Sequence, residues 1–349
     1  MGGTLSGDTA AVILAAGKNT RMLSKIPKAM HKIAGAPMIG LVYDAVVNSG
    51  VKRCIVVVGF GAGMIIDYLG EKAEYAFQKE QLGTGHALQT ALEYLDGGPG
   101  GAYGGRILAL YCDMPFISPA TLRSLVEKSR AAGEQAALVY ADLPDPYGFG
   151  RVLHDSDGRF VRIVEQKDAT EGERLIKAAN VGVYCFDAAA ARFALSRINT
   201  DNAQGELYLT DVFTPLAQTG ARIGTYRMDD IGECLGVNDR AALAELDRRA
   251  RLKKCESLML ESGVTIIDPN ATYIDRDVAV GSDTVIYPGC VIEGRTVIGR
   301  GCEIGPHACI RDSSIGDGGA VVYSFVEGSV IDAGAAIGPF ANILHLKGC

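Results

Sequence analysis

The chain has no tryptophan, no pair of cysteines spaced C-x-x-C, no surplus of basic residues, and no run approaching the ~20 consecutive apolar residues of a membrane span. Each absence removes a class. Nine cysteines, odd in number and scattered singly, give neither a zinc knuckle nor a disulfide framework and read mostly as small buried hydrophobes. Thirty-four Lys plus Arg stand against 41 Asp plus Glu, a net charge of −7. A basic nucleic-acid grip is therefore excluded, and any phosphate ligand must be held by local groups. The opening MGGTLSGDTA has no basic n-region, and the apolar stretch from Ala10 to Ala16 is too short for a signal peptide core. A cytoplasmic protein is expected. With 48% hydrophobic and 21% charged residues the chain is too apolar for disorder. Its 349 residues exceed what one core usually organises.

What is present in excess is glycine, 44 residues, against a usual share of about 7%. Two halves use it differently. Up to about residue 228, apolar runs at 10–16, 53–59, 106–111, 136–143 and 181–186 read as strands, the first three buried on both faces. Helical patterns lie between them. Met38, Leu41, Val42, Ala45 and Val46 mark one apolar stripe, and Ser118-Pro119 is an N-cap followed by proline at N1. Strand, helix, strand in alternation predicts a Rossmann-like α/β domain with a largely parallel sheet, whose ligands bind at the carboxyl ends of the strands.

The second half changes period. Ile274, Val280, Ile286, Ile292, Ile298, Ile304 and Ile310 recur every six residues. Two positions before each stands a small or β-branched residue: Thr272, Val278, Thr284, Cys290, Thr296, Cys302 and Ala308. The register slips near Ile315 and returns at Ile331, Ile337 and Ile343. Such a hexapeptide repeat predicts a parallel β-helix of about four coils, with Gly281, Gly299 and Gly305 at corners that need a permissive backbone. The stretch 239–261 between the halves reads as a connecting helix.

Several loops carry groups suited to a phosphorylated ligand. Directly after the first strand, LAAGKNTRM and then Pro27-Lys28 offer backbone N–H groups and cations to a polyphosphate, without matching a Walker A or G-x-G-x-x-G pattern. QKEQLGTGHAL (78–88) sets two glutamines, two glycines and a threonine before a helix, suited to reading a base edge. YCDMP (111–115) ends a buried strand with a carboxylate, a position fit for a metal ligand or for a turn residue.

In order and approximate spacing these motifs, together with FGR (149–151), VEQKDAT (164–170), Asn180-Val181-Gly182, QGELYLTD (204–211) and GVNDR (236–240), resemble bacterial UDP-N-acetylglucosamine pyrophosphorylase. That is the N-terminal half of the bifunctional uridyltransferase/acetyltransferase family. The resemblance covers residues 10 to about 343. It implies a nucleotidylyltransferase domain over 1–228, a helical connector over 229–262 and a short left-handed β-helix over 263–349. It implies the Mg²⁺-dependent reaction of UTP with N-acetylglucosamine 1-phosphate, which yields pyrophosphate and the peptidoglycan precursor UDP-N-acetylglucosamine. On the family pattern Leu14, Ala15, Ala16 and Gly17 line the uridine and phosphates, with Tyr111 and Cys112 beside them. Gln78, Gly83 and Thr84 meet the uracil end. Lys28 contacts a phosphate and Arg21 neutralises the leaving pyrophosphate, the two residues given catalytic roles. Asp113 and Asn238 coordinate Mg²⁺. Gly150, Glu165 and Asn180 contact the amino sugar.

Two positions depart from the family pattern, Asn19 and Cys112, each standing where glycine is usual. They are expected to intrude on the triphosphate loop and beside the metal ligand. The chain reads IGPFANILHLKGC where the family continues with an Arg-rich segment, so no acetyltransferase activity is expected. His307 and His345 are not expected to replace its base. Hexapeptide helices of this type imply a homotrimer. The alternatives are another sugar or base within the nucleotidyltransferase class, or a non-catalytic β-helix subunit.

Overall fold

The computed structural model describes residues 8–344 except 19 and 99. The expectations placed on Asn19 and on the tail from His345 lie outside the described residues. The chain forms two compact units, Met1–His31 with Met38–Asp239, and Lys32–Pro37 with Arg240–Cys349. No helix among the described residues is long and apolar enough to cross a membrane.

The first unit is built on strands β1 (Thr9–Leu14), β2 (Arg53–Val58), β3 (Glu74–Phe77), β4 (Arg106–Tyr111), β5 (Ala136–Asp142), β6 (Arg151–His154), β7 (Phe160–Val164), β8 (Ala178–Asp187) and β9 (Ile223–Arg227). Their order is β9-β5-β8-β4-β1-β2-β3, with β6 and β7 attached beside β8. β1 is buried throughout because its two faces enter different cores: Ala11 and Ile13 join one, Ala10, Val12 and Leu14 the other. Helices α1 (Met38–Asn48), α2 (Ala62–Leu69) and α4 (Pro119–Ala131) supply the first core, and α3 (Thr84–Asp96) the second. The expected cap of α4 is present, Ser118 accepting from the Thr121 N–H. The pairs β1–β2, β1–β4, β2–β3 and β5–β9 are parallel. β8 runs antiparallel to both β4 and β5, the exception within a mainly parallel sheet.

The unit extends past residue 228 to Asp239. Cys234 lies in the first core, and the Val237 N–H donates to the Asp113 carbonyl at 3.0 Å.

The second unit is a left-handed parallel β-helix preceded by the helix Arg240–Glu261, which starts one residue later than expected. Its strands stack in three parallel sheets of 5, 5 and 4 strands. The repeating aliphatic residues from Ile274 to Ile310 form one buried core, closed at one end by Cys255 and Leu258 of that helix. The antiparallel strands Lys32–Ile33 and Ala36–Pro37 also belong to this unit, where the Ala34 N–H donates to Asp247 at 2.8 Å.

The irregularity near Ile315 is not one slip. The core series continues Ile310, Ile315, Val321, Val326, Ile331, and five-residue steps occur before Ile315, Val326 and Ile331. Parallel pairing survives each step, with Ile298 on Ile315, Ile310 on Val326, and Ile315 on Ile331. Corners absorb the shortening while the inward side chains keep their stack. The reason assigned to two corner glycines also changes. Gly305 has φ +98°, but Gly281 and Gly299 need no left-handed backbone. A Cβ there would stand 2.7 Å from backbone atoms of the next coil, so close coil stacking selects glycine. All eight described cysteines are free, and only Cys309 is not buried.

Candidate functional site

The carboxyl ends of β1 and β4 lie side by side, Leu14 in register with Tyr111. Pairing persists one residue beyond each strand, since Ala15 N–H donates to Val57 O at 3.0 Å and Cys112 N–H to Leu14 O at 3.2 Å. This fixes where both loops depart. Ala16 is buried, whereas Gly17 is exposed and a Cβ on it would meet nothing within 4 Å. Internal packing therefore does not explain that glycine.

Lys28 follows Pro27, whose ring packs on Gly61; a Cβ on Gly61 would fall 2.1 Å from Pro27 Cγ. The Lys28 ammonium forms an ion pair with Asp113 and lies 3.4 Å from Asn238 Oδ1. Arg21 donates to the same Asn238 oxygen at 3.1 Å. Two cations, a carboxylate and an amide oxygen from distant segments thus meet at one place. The bond from Val237 to the Asp113 backbone brings Asn238 there.

Next to this cluster a cleft of about 270 Å³ is lined by Thr84, Tyr111, Asp113, Gly150, Glu165, Asn180 and Asn238 among others. Glu165 accepts from the Thr210 hydroxyl at 2.9 Å, and burial pushes its carboxyl above the ordinary range, with Asp211 and Asp168 adding to the effect. Asn180 donates to the Tyr184 hydroxyl at 2.7 Å, and its backbone N–H donates to Gly150 O at 2.8 Å. Gly182, at φ +86°, lies over Tyr111, where a Cβ would be 2.5 Å from the ring. Burial raises the Tyr111 phenol, which stays neutral at ordinary pH.

The 78–88 loop is tied to the 204–211 segment. Leu207 N–H donates to Leu82 O, Gly85 N–H to Leu207 O, and Leu209 N–H to the Thr84 hydroxyl, at 2.7 to 3.0 Å. Gly83, at φ +115°, leaves 2.5 Å between a notional Cβ and Leu207 O, so both conformation and crowding exclude a side chain. Buried Gln78 donates from its amide to Gly83 O at 3.1 Å.

Seven expected site residues therefore line the cleft, and Arg21 and Lys28 adjoin it through Asp113 and Asn238. Leu14, Ala15, Ala16, Gly17, Gln78, Gly83 and Cys112 are not part of its lining. The expected intrusion at position 112 is corrected. Cys112 packs into the core shared with α1 and α4, and burial pushes its thiol up to about 12. Tyr147, Gly182, Glu206 and Tyr208 line the cleft without having been singled out. Three of them lie in or beside motifs already noted, so a signal existed; Cys234, also in the lining, had none.

The chain matches a MobA-like NTP transferase domain over residues 11–181 and bacterial transferase hexapeptide repeats over residues 277–312. It is 46% identical over 333 residues to the bifunctional protein GlmU of Geobacillus sp., covering 95% of this chain and 71% of that protein. With the protein of the same name from Geobacillus thermodenitrificans it shares 45% over 338 residues, 97% of this chain and 72% of the relative. The Enterococcus faecalis protein is 43% identical over 333 residues, with 95% and 71% covered. Among solved structures, UDP-glucose pyrophosphorylase complexed with UDP-glucose aligns with a TM-score of 0.59 at 19% identity. That alignment covers 70% of this chain and 99% of that one, a likeness of fold.

Proposed function

Because the chain belongs to the family of the bifunctional GlmU proteins and is a nucleotidyltransferase, we propose that it transfers a uridylyl group from UTP to N-acetylglucosamine 1-phosphate, giving UDP-N-acetylglucosamine and pyrophosphate. One observation carries the reading. Lys28, Arg21, Asp113 and Asn238 converge beside a cleft whose wall holds Gly150, Glu165 and Asn180.

The chemistry asks little of a protein nucleophile. A phosphate oxygen of the sugar phosphate attacks the α-phosphorus, the bond to the β-phosphate oxygen breaks, and pyrophosphate leaves with that electron pair. The attacking group is already an anion, so no general base is needed. Cys112, with its thiol held protonated in the core, is no candidate for a covalent intermediate. The work left to the protein is to gather several negative charges and align them.

Lys28 and Arg21 serve that end, Lys28 toward a reacting phosphate and Arg21 toward the departing pyrophosphate. The donor set fits a divalent cation: the Asp113 carboxylate and Asn238 Oδ1 are hard oxygens that face one positively charged position, now taken by the Lys28 ammonium. Mg²⁺ bound by these two residues supplies charge neutralisation on the triphosphate. The exposed turn at Gly17 lets backbone approach the nucleotide, and Gln78, Gly83 and Thr84 form the base end. Glu165 accepts from sugar hydroxyls, which supply the donors a buried carboxylate needs, and Asn180 completes the sugar side. We place the reaction in the cytoplasm and assign the β-helix to a homotrimer, which sedimentation measures directly.

Pyrophosphate release with a panel of nucleoside triphosphates and sugar 1-phosphates tests the assignment. Highest turnover is expected with UTP, N-acetylglucosamine 1-phosphate and Mg²⁺. Preference for glucose 1-phosphate overturns the sugar, and silence with every pair favours a non-catalytic role.

A further inference from the structure

Arg151 opens β6 and is only 2% exposed, yet among the described residues it makes no ion pair with a carboxylate. A charged group is costly to bury without an opposite charge unless its donors are spent on well-placed acceptors. Both terminal nitrogens find acceptors, whereas the buried Nε has none among the described residues. Nη1 donates to Phe149 O, and Nη2 donates to Gln166 Oε1 at 2.8 Å and to Arg174 O at 3.3 Å.

These three acceptors come from two segments, and only Phe149 among them lines the cleft. Phe149 sits between Gly148 and Gly150, and all three line the cleft. Gln166 follows Glu165 in a turn whose Glu165 carbonyl accepts from Asp168 and Ala169, and Arg174 ends the short helix Glu171–Arg174 after it. Gln166 Oε1 also accepts from the Gly148 N–H at 3.3 Å, so one amide oxygen next to Glu165 ties the guanidinium to the Gly148 backbone. Asn180 N–H closes the frame on Gly150 O at 2.8 Å. Arg151 does not itself line the cleft.

We propose that Arg151, acting through Gln166, is a positioning residue that sets the Gly148–Gly150 backbone against Glu165 and Asn180 and so tunes the fit of the sugar 1-phosphate. This rests on the assignment of that wall to the sugar. A planar guanidinium suits the task because it spreads fixed donors over acceptors from two segments, which a lysine ammonium does less well. Lys28 and Gln78, assigned to the nucleotide end, share none of these bonds.

The test is a separation of Michaelis constants, with the sugar 1-phosphate that the wild-type enzyme uses best. Arg151→Met is expected to raise KM for the sugar phosphate about tenfold or more while KM for UTP stays within about twofold. Arg151→Lys recovers part of the loss. Gln166→Ala moves the same constant in the same direction by less, and adding it to Arg151→Met costs little more, since both changes break one frame. Should Arg151→Met not fold, Arg151→Lys and Gln166→Ala carry the test. Equal rises in both constants, or a lower melting temperature with both constants unchanged, overturn the proposal. Wild-type preference for a different sugar overturns the substrate assignment alone, because the separation is then read with that sugar. An enzyme silent with every sugar overturns both.

Discussion

Asp211 shows how far a single environment can move an acid. Burial first, and then the nearby Asp168, raise its carboxyl from 3.8 to about 6. The unfolded chain releases this proton near pH 4, so between about pH 4 and 6 the native state holds more protons. The resulting stabilisation is complete below about pH 4 and is lost as pH rises through about 6. Asp211→Asn is therefore expected to raise the melting temperature at pH 8 and to leave it nearly unchanged at pH 4. A fall at both pH values would show instead that the carboxylate makes a stabilising contact. Lys28 gives a second residue-level expectation. Its ammonium lies between Asp113 and Asn238, the place proposed above for a divalent cation. Lys28→Met should tighten Mn²⁺ binding without nucleotide by about tenfold or more, read by electron paramagnetic resonance. A dissociation constant no lower than the parent's would contradict the displacement. Asp113 stood out because a carboxylate ending a buried strand is visible in sequence, whereas Glu165 and Asn180 were expected only through the family resemblance. The orientation of Cys112 was not legible, since one residue after a strand end its side chain can face either core or cleft.

In the β-helix, the element itself sets the rules for its residues. Gly299 and Gly301 are neighbours in one coil but differ in what constrains them. A Cβ at Gly299 would meet Asp317 backbone N at 2.7 Å, whereas at Gly301, with φ +60°, it would meet nothing within 4 Å. Gly299→Ala must push two coils apart and is expected to cost about 2 kcal/mol or more, against about 1 kcal/mol for Gly301→Ala from backbone strain. Urea unfolding of each variant gives the comparison, and equal costs would deny the stacking argument. The six-residue period was readable because every coil must send aliphatic side chains inward. The five-residue steps at Ile315, Val326 and Ile331 were less so. A one-residue deletion at a corner shifts the sequence phase without disturbing the pairing that defines the element. The antiparallel course of β8 was hidden for a related reason, since a strand buried on both faces carries no mark of its direction.

At the scale of the whole molecule, fold and metal should be separable. The oxygens of Asp113 and Asn238 are engaged by Lys28 and Arg21, and among the described residues no group of three or more metal-ligating acids, histidines or cysteines occurs. EDTA is therefore expected to stop pyrophosphate release while leaving the thermal unfolding curve in place. A melting temperature that falls on chelation would reveal a structural ion. The sequence by itself determined the two architectures and most of the chemistry-bearing residue types, because periods of two, 3.6 and six residues and glycine-rich loops are local properties of a chain. Only the tertiary structure decided which of those residues share a site. Arg21 and Asn238 meet across 217 positions, Lys32–Pro37 joins the second unit, and Arg151 joins Phe149, Gln166 and Arg174 without lining the cleft. Each depends on where the sheet and its loops carry the backbone, and that follows from packing the whole core at once.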